Sequence, residues 1–79
     1  MKLPRDISGA KLAKALKALG YQVTRQTGSH LRLTTAGGGE HHVTVPSHDP
    51  LRIGTLAAIL DDVATHFGIS RDELMEKIF

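Results

Sequence analysis

Between Gly20 and Pro46 the apolar residues of this chain fall on every second position. Tyr21 and Val23 do so in "YQVTRQT", Leu31 and Leu33 in "HLRLTT", and Val43 and Val45 in "HHVTVP". Alternation of that kind marks strands with one buried and one solvated face. The breaks between them, Gly28-Ser29 and the "AGGGE" stretch, are short enough only for hairpin connections. Three strands, read as about 21–27, 29–35 and 41–45, therefore form an antiparallel meander. Strict alternation puts Tyr21, Val23 and Arg25 on one side of the first strand and Gln22, Thr24 and Gln26 on the other. His30, Arg32, Thr34, His42 and Thr44 face outward. Pro46 ends the third strand because it has no ladder donor. The glycine run carries no side chain that could anchor it and is expected to be mobile.

Outside this region the period changes from two to that of a helix. Ser8 is a suitable N-cap, Gly20 a stop, and Leu12, Leu16 and Leu19 lie on one face of a helix over about 8–19. Ile53, Leu56, Ile59, Leu60, Val63 and Phe67 outline a second helix over about 54–67, closed by Gly68. "SRDE", Ser70 to Glu73, is a capping box that opens a third helix over about 70–78. The order α-β-β-β-α-α leaves one economical solution. Helices on one face of the sheet bury Val23, Leu31, Leu33, Val43 and Val45, and the opposite face stays polar and open. That is a two-layer α+β domain spanning 1–79.

A chain of 79 residues without cysteine has no disulfide or thiolate metal site to reinforce a core worth only roughly 3–5 kcal/mol. Reinforcement, where needed, has to come from a partner or an oligomer. "MKLPRDISGAK" lacks the apolar run of a signal sequence, and nothing downstream is long enough to span a bilayer, so a cytoplasmic protein without membrane attachment is expected. The net charge of +2 and pI of about 9.3 suit an anionic partner, although many enzymes share that balance. Where the charges sit is more telling. Lys11, Lys14 and Lys17 lie about 180° from the leucine stripe of the first helix. A lysine stripe is commonly just the solvated side, but no acid interleaves these three to form the usual pairs.

The open face carries the residues with chemistry. His30 can exchange a proton near neutral pH, and Arg32 can hold a phosphate oxygen bidentately. At positions i and i+2 of one strand they point the same way, roughly 6–7 Å apart. His41 and His42 are adjacent and face opposite sides, so one ion cannot gather both, and the histidine spacing follows no zinc pattern. Asp61 and Asp62 diverge by about 100° on their helix and read as surface charge. "AGGGE" lacks the helix that a phosphate-binding loop needs after it. No metal or cofactor is called for.

The segments "LAKALKALGYQVTRQTGSHLRLTT", "HHVTVPSHDPLRIGTLAAIL" and "GISRDEL" together resemble the HicA family of toxin ribonucleases, from Ser8 to about Leu74. The most telling part is "GYQVTRQTGSH", where a helix end, an aromatic strand start and Gly-Ser-His follow in order. The resemblance implies a fold like the double-stranded-RNA-binding domain, with a catalytic histidine at the start of the second strand. That histidine corresponds to His30, inside Gly28-Ser29-His30. It also implies the toxin of a type II toxin–antitoxin module: metal-independent cleavage of mRNA, growth arrest, and neutralisation by a HicB-type antitoxin, with an oligomer of the toxin alone or of toxin with antitoxin. The third helix, ending "MEKIF", is longer than in minimal members, and the triple-glycine loop is local to this chain.

On that reading His30 takes the ribose 2′-OH proton. Arg32, with Lys11, Lys14 or Arg25, offsets the charge that develops on phosphorus. Gly28 meets a backbone requirement in the turn or near the RNA. Ser29 is a turn former, since no base is placed to activate it. The proton donor for the leaving oxygen stays open between His42, His48 and water. The rival from another class is a module that binds double-stranded RNA without cutting it, which the lysine stripe would also suit.

Overall fold

The Ser8 backbone is extended, and its hydroxyl accepts the Lys11 N–H at 3.1 Å, which starts α1 (Gly9–Leu16). This geometry comes from a computed structural model that describes residues 3–79. Met1 and Lys2, the first residues of the segment read above as too polar for a signal sequence, lie outside the described residues. The helical segment does not run on uniformly to Leu19. Lys17–Leu19 tighten into a 3₁₀ turn, and Gly20 closes it in the left-handed region at φ +84°. The turn delivers Tyr21 into the core with none of its surface exposed.

Three strands follow, β1 (Gln22–Thr27), β2 (His30–Thr35) and β3 (His41–Pro46), antiparallel in the order β1-β2-β3. Gly28 has φ +50°, and Ser29 does not share the positive φ. A positive-φ glycine first in a two-residue loop is the hairpin turn whose twist matches its strands. After β3 come α2 (Ile53–Phe67) and α3 (Arg71–Ile78). α1 crosses all three strands, α2 covers β3, and α3 rests on α2 and the 3₁₀ turn. The result is the expected α+β arrangement, with helices on one face and the other face open. Leu12, Leu16, Leu33, Leu56 and Leu60 are fully buried between the layers. Each contributes about 1.5–3 kcal/mol relative to exposure.

Ser70 caps α3 by accepting the Glu73 N–H at 3.1 Å. Arg71 then clips α3 to α2 through two parallel 2.8 Å bonds to Asp61. Those hydrogen bonds hold the Asp61 carboxyl below its ordinary value. Among the described residues no helix is long and apolar enough to cross a membrane.

β1 departs from strict alternation. Val23 pairs with Leu33, yet the next pair is Arg25 with Arg32, so Thr24 is the extra residue of a bulge. Directly opposed residues share a face, and the bulge therefore moves Arg25 to the open side with Arg32. Gln26, opposite Leu31, goes to the helix side. Both placements reverse those read from alternation. Val23 is on the helix side as expected but remains 44% exposed, because β1 is the edge strand at the margin of α1.

Candidate nucleic-acid interface

His30 is the first residue of β2, opposite Thr27 on one side and Pro46 on the other. Leu31, Leu33 and Thr35 are buried against the helices, so His30, Arg32 and Thr34 stand on the open face. The two ends of that face differ. At the far end Thr34 Oγ1 lies 2.9 Å from Thr24 Oγ1 and 2.7 Å from His42 Nδ1, and Glu40 approaches His42 Nε2 at 3.7 Å. At the near end the side chains of His30, Arg25 and Arg32 make no hydrogen bond or ion pair with any described residue. Arg25 and Arg32 nevertheless face each other across the ladder. Like charges in that position cost about 0.2–1 kcal/mol. An anion resting between them would remove the cost.

The other expected residues are distributed as follows. Gly28 serves the turn, and a Cβ there would meet nothing within 4 Å, so its φ is the constraint and not space. Ser29 acts through its backbone: its carbonyl accepts the Ser47 N–H at 2.7 Å, tying the start of β2 to the end of β3. Lys11 and Lys14 are exposed on α1 and do not join the open face. Lys14 instead lines a shallow groove between α1 and the edge strand, with Lys17, Gln26, Leu31 and Ser47. The groove and the open face are thus separated by the edge of the sheet.

One cluster on the helix side escaped the sequence reading. Tyr21 Oη lies 2.7 Å from His41 Nδ1, and His41 Nε2 lies 3.2 Å from Asp62 Oδ1. An ionised carboxylate only accepts, so Nε2 carries the His41 proton and Nδ1 accepts from the phenol. The His66 ring stacks on His41 at 4.3 Å, and its Nε2–H donates to the Gly37 carbonyl at 2.8 Å. Gly37 N–H in turn donates to Thr35 Oγ1 at 3.1 Å. The first glycine of the loop is therefore hydrogen-bonded to a helix residue far along the chain. Asp62 is likewise more than surface charge. The legible signal was the outward–inward split of His41 and His42, which leaves His41 requiring a partner beneath the sheet. Among the described residues no group of His, Cys, Asp or Glu has the geometry to hold a metal ion.

Burial, with the nearby Asp62 charge, pushes the Tyr21 phenol from 10.0 up to about 12. The folded chain thus holds this proton more tightly than the unfolded one. Its contribution to stability is complete below pH 10.0 and is lost as the pH rises towards about 12. Tyr21 is the single tyrosine of the chain, so tyrosinate absorbance reports it alone. Tyrosinate should appear only well above pH 10.0, together with unfolding, and Tyr21→Phe should flatten the loss of stability over that window. Ionisation near the ordinary value in a chain that is still folded would contradict the buried network.

A model of the family described as the HicA toxin of bacterial toxin–antitoxin systems matches residues 9–64, more than half of the 79-residue chain. Comparison with curated proteins and with solved structures returns no match. The matched stretch runs from the first residue of α1 into α2 and includes the whole sheet, His30, Arg32 and the "VTVPSH" segment; "GISRDEL" and α3 lie beyond it. The chain belongs to the HicA family of bacterial toxins.

Proposed function

We propose that this toxin is a metal-independent endoribonuclease that destroys messenger RNA. What carries the reading is the near end of the open face, where His30, Arg32 and Arg25 are exposed, share one side and have no acidic partner among the described residues. RNA brings its own nucleophile, the ribose 2′-OH. Neutral His30 removes its proton as the oxygen attacks the adjacent phosphorus, and general base action of this kind contributes roughly 10²–10⁴-fold. Arg32 and Arg25 offset the charge gathering on the phosphoryl oxygens. Lys14 and Lys11, on the far side of the sheet edge, act on more distant phosphates of the same RNA and supply salt-sensitive affinity. A HicB-type antitoxin is the partner that silences the activity, in keeping with the toxin–antitoxin character of the family.

The mechanism predicts its own products. Message treated with the purified toxin in the presence of a chelator should give fragments ending in a 2′,3′-cyclic phosphate and beginning with a 5′-hydroxyl. A single 2′-deoxy nucleotide at a mapped cut should abolish cleavage there and nowhere else. Fragments beginning with a 5′-phosphate, or cutting at the deoxy position, would show that water and not the ribose is the nucleophile.

A further inference from the structure

Attack by the 2′-oxygen needs a second proton transfer, because the departing 5′-oxygen leaves poorly as an alkoxide. The chain has five histidines, and the structure separates them sharply. His41 and His66 are committed beneath the sheet to Tyr21, Asp62 and Gly37. His42 is on the open face but pairs with the level of Thr34, four residues along β2 from His30. That spacing puts it about 13 Å away, beyond the reach of one phosphodiester. His48 is different. It lies two residues past Pro46, the β3 partner of His30, so the Cα atoms of His30 and His48 stand within about 10 Å of each other.

The backbone at this corner is tied from both sides. Ser47 N–H donates to the Ser29 carbonyl at 2.7 Å, and the His48 carbonyl accepts the Gly9 N–H at 2.9 Å. His48 is therefore held by α1 at its own peptide and by the residue next to His30 through Ser47. Its side chain is exposed and, like that of His30, makes no hydrogen bond with any described residue. Two imidazoles without a hydrogen bond to any described residue flank the same hairpin end, on segments joined by the Ser47–Ser29 backbone bond.

We propose that His48 is the general acid of the cleavage reaction, acting opposite His30. This rests on the ribonuclease reading above. His30 takes the proton of the 2′-OH as the 2′-oxygen–phosphorus bond forms. The phosphorus–5′-oxygen bond breaks with its electron pair on oxygen, and the His48 imidazolium gives that oxygen its proton. The cyclic phosphate keeps one negative charge. The two imidazoles end with their protonation states exchanged and are reset by solvent.

A leaving group that needs no proton tests this directly. An RNA oligonucleotide containing a mapped cut would be compared with the same oligonucleotide carrying sulfur in place of the 5′-bridging oxygen, under single-turnover conditions. On ordinary RNA, His48→Ala and His48→Gln should lose about 10²–10⁴-fold. On the sulfur-bridged substrate the loss should shrink below about tenfold, since a thiolate departs unprotonated. His30→Ala should be slow on both. Circular dichroism should show all three variants folded, because both side chains are exposed. An active His48→Ala, or one equally impaired on both substrates, overturns the assignment of His48 alone. A wild-type chain that cuts no RNA, or an active His30→Ala, overturns the ribonuclease reading and this inference with it.

Discussion

Replacing His30 by alanine is expected to lower the rate of RNA cleavage by roughly 10²–10⁴-fold while leaving the fold intact. Two magnitudes set that expectation. The ring is exposed and unbonded, so its removal should change stability by no more than about 0.5 kcal/mol. The charges proposed to hold RNA stay in place, since Arg25, Arg32, Lys11 and Lys14 are untouched. Affinity measured by fluorescence anisotropy on a labelled RNA should therefore change little, and it should still fall steeply with salt. Loss of cleavage with retained affinity, together with relief of growth arrest in cells expressing the variant, assigns His30 to the chemical step. Loss of both would make it a binding residue. A wild-type chain that binds duplex RNA tightly and never cuts it would instead favour the non-catalytic rival.

The difference between what could and could not be read beforehand has a physical origin. A change of period from 3.6 to 2 and back is local, and it marks the helices, β2 and β3 to within a few residues because each buries one face. Leu31, Leu33, Val43 and Val45 had to be inside, and they are. β1 offered no such signal beyond Tyr21 and Val23. From Gln22 to Thr27 every residue is exposed, so no buried face fixes the register there, and a bulge at Thr24 shifts it without leaving a mark in the pattern. Arg25 could be placed beside Arg32 only by seeing the pairing. The Tyr21–His41–Asp62 chain was hidden for another reason. Its members come from the residue just before β1, the start of β3 and the middle of α2, and only the three-dimensional arrangement makes them neighbours. Gly28-Ser29-His30 lies between these extremes. The turn was legible from glycine chemistry, and the role proposed for its histidine came from family resemblance, while the structure adds that the ring has no hydrogen bond to any described residue.

Gly9→Ala should be among the most damaging small substitutions in the chain. As the first residue of α1, glycine looks replaceable, and helix propensity alone favours alanine by up to about 1 kcal/mol. The structure argues the reverse. A Cβ at Gly9 would overlap the Pro46 carbonyl oxygen and stand 3.1 Å from Ser47 Cα, both backbone atoms with no rotamer to escape into. Relief requires α1 to lift from the end of β3, which breaks the Gly9 N–H bond to His48 and strains the Leu51 N–H bond to Ile7. Overpacking of this kind costs about 1–3 kcal/mol or more, against a total for so small a domain of roughly 3–5 kcal/mol. Urea denaturation should show Gly9→Ala losing most of its stability. Gly54→Ala, in α2 with nothing near its Cβ, should be neutral or gain a few tenths of a kcal/mol. Equal stability of the two variants would mean that α1 does not seat on Pro46 and Ser47 as closely as described. The same contact seats the His48 peptide, the proposed general acid, on α1. Whatever Gly9→Ala remains folded should therefore cleave ordinary RNA poorly, and it should recover more on the sulfur-bridged substrate than His30→Ala does.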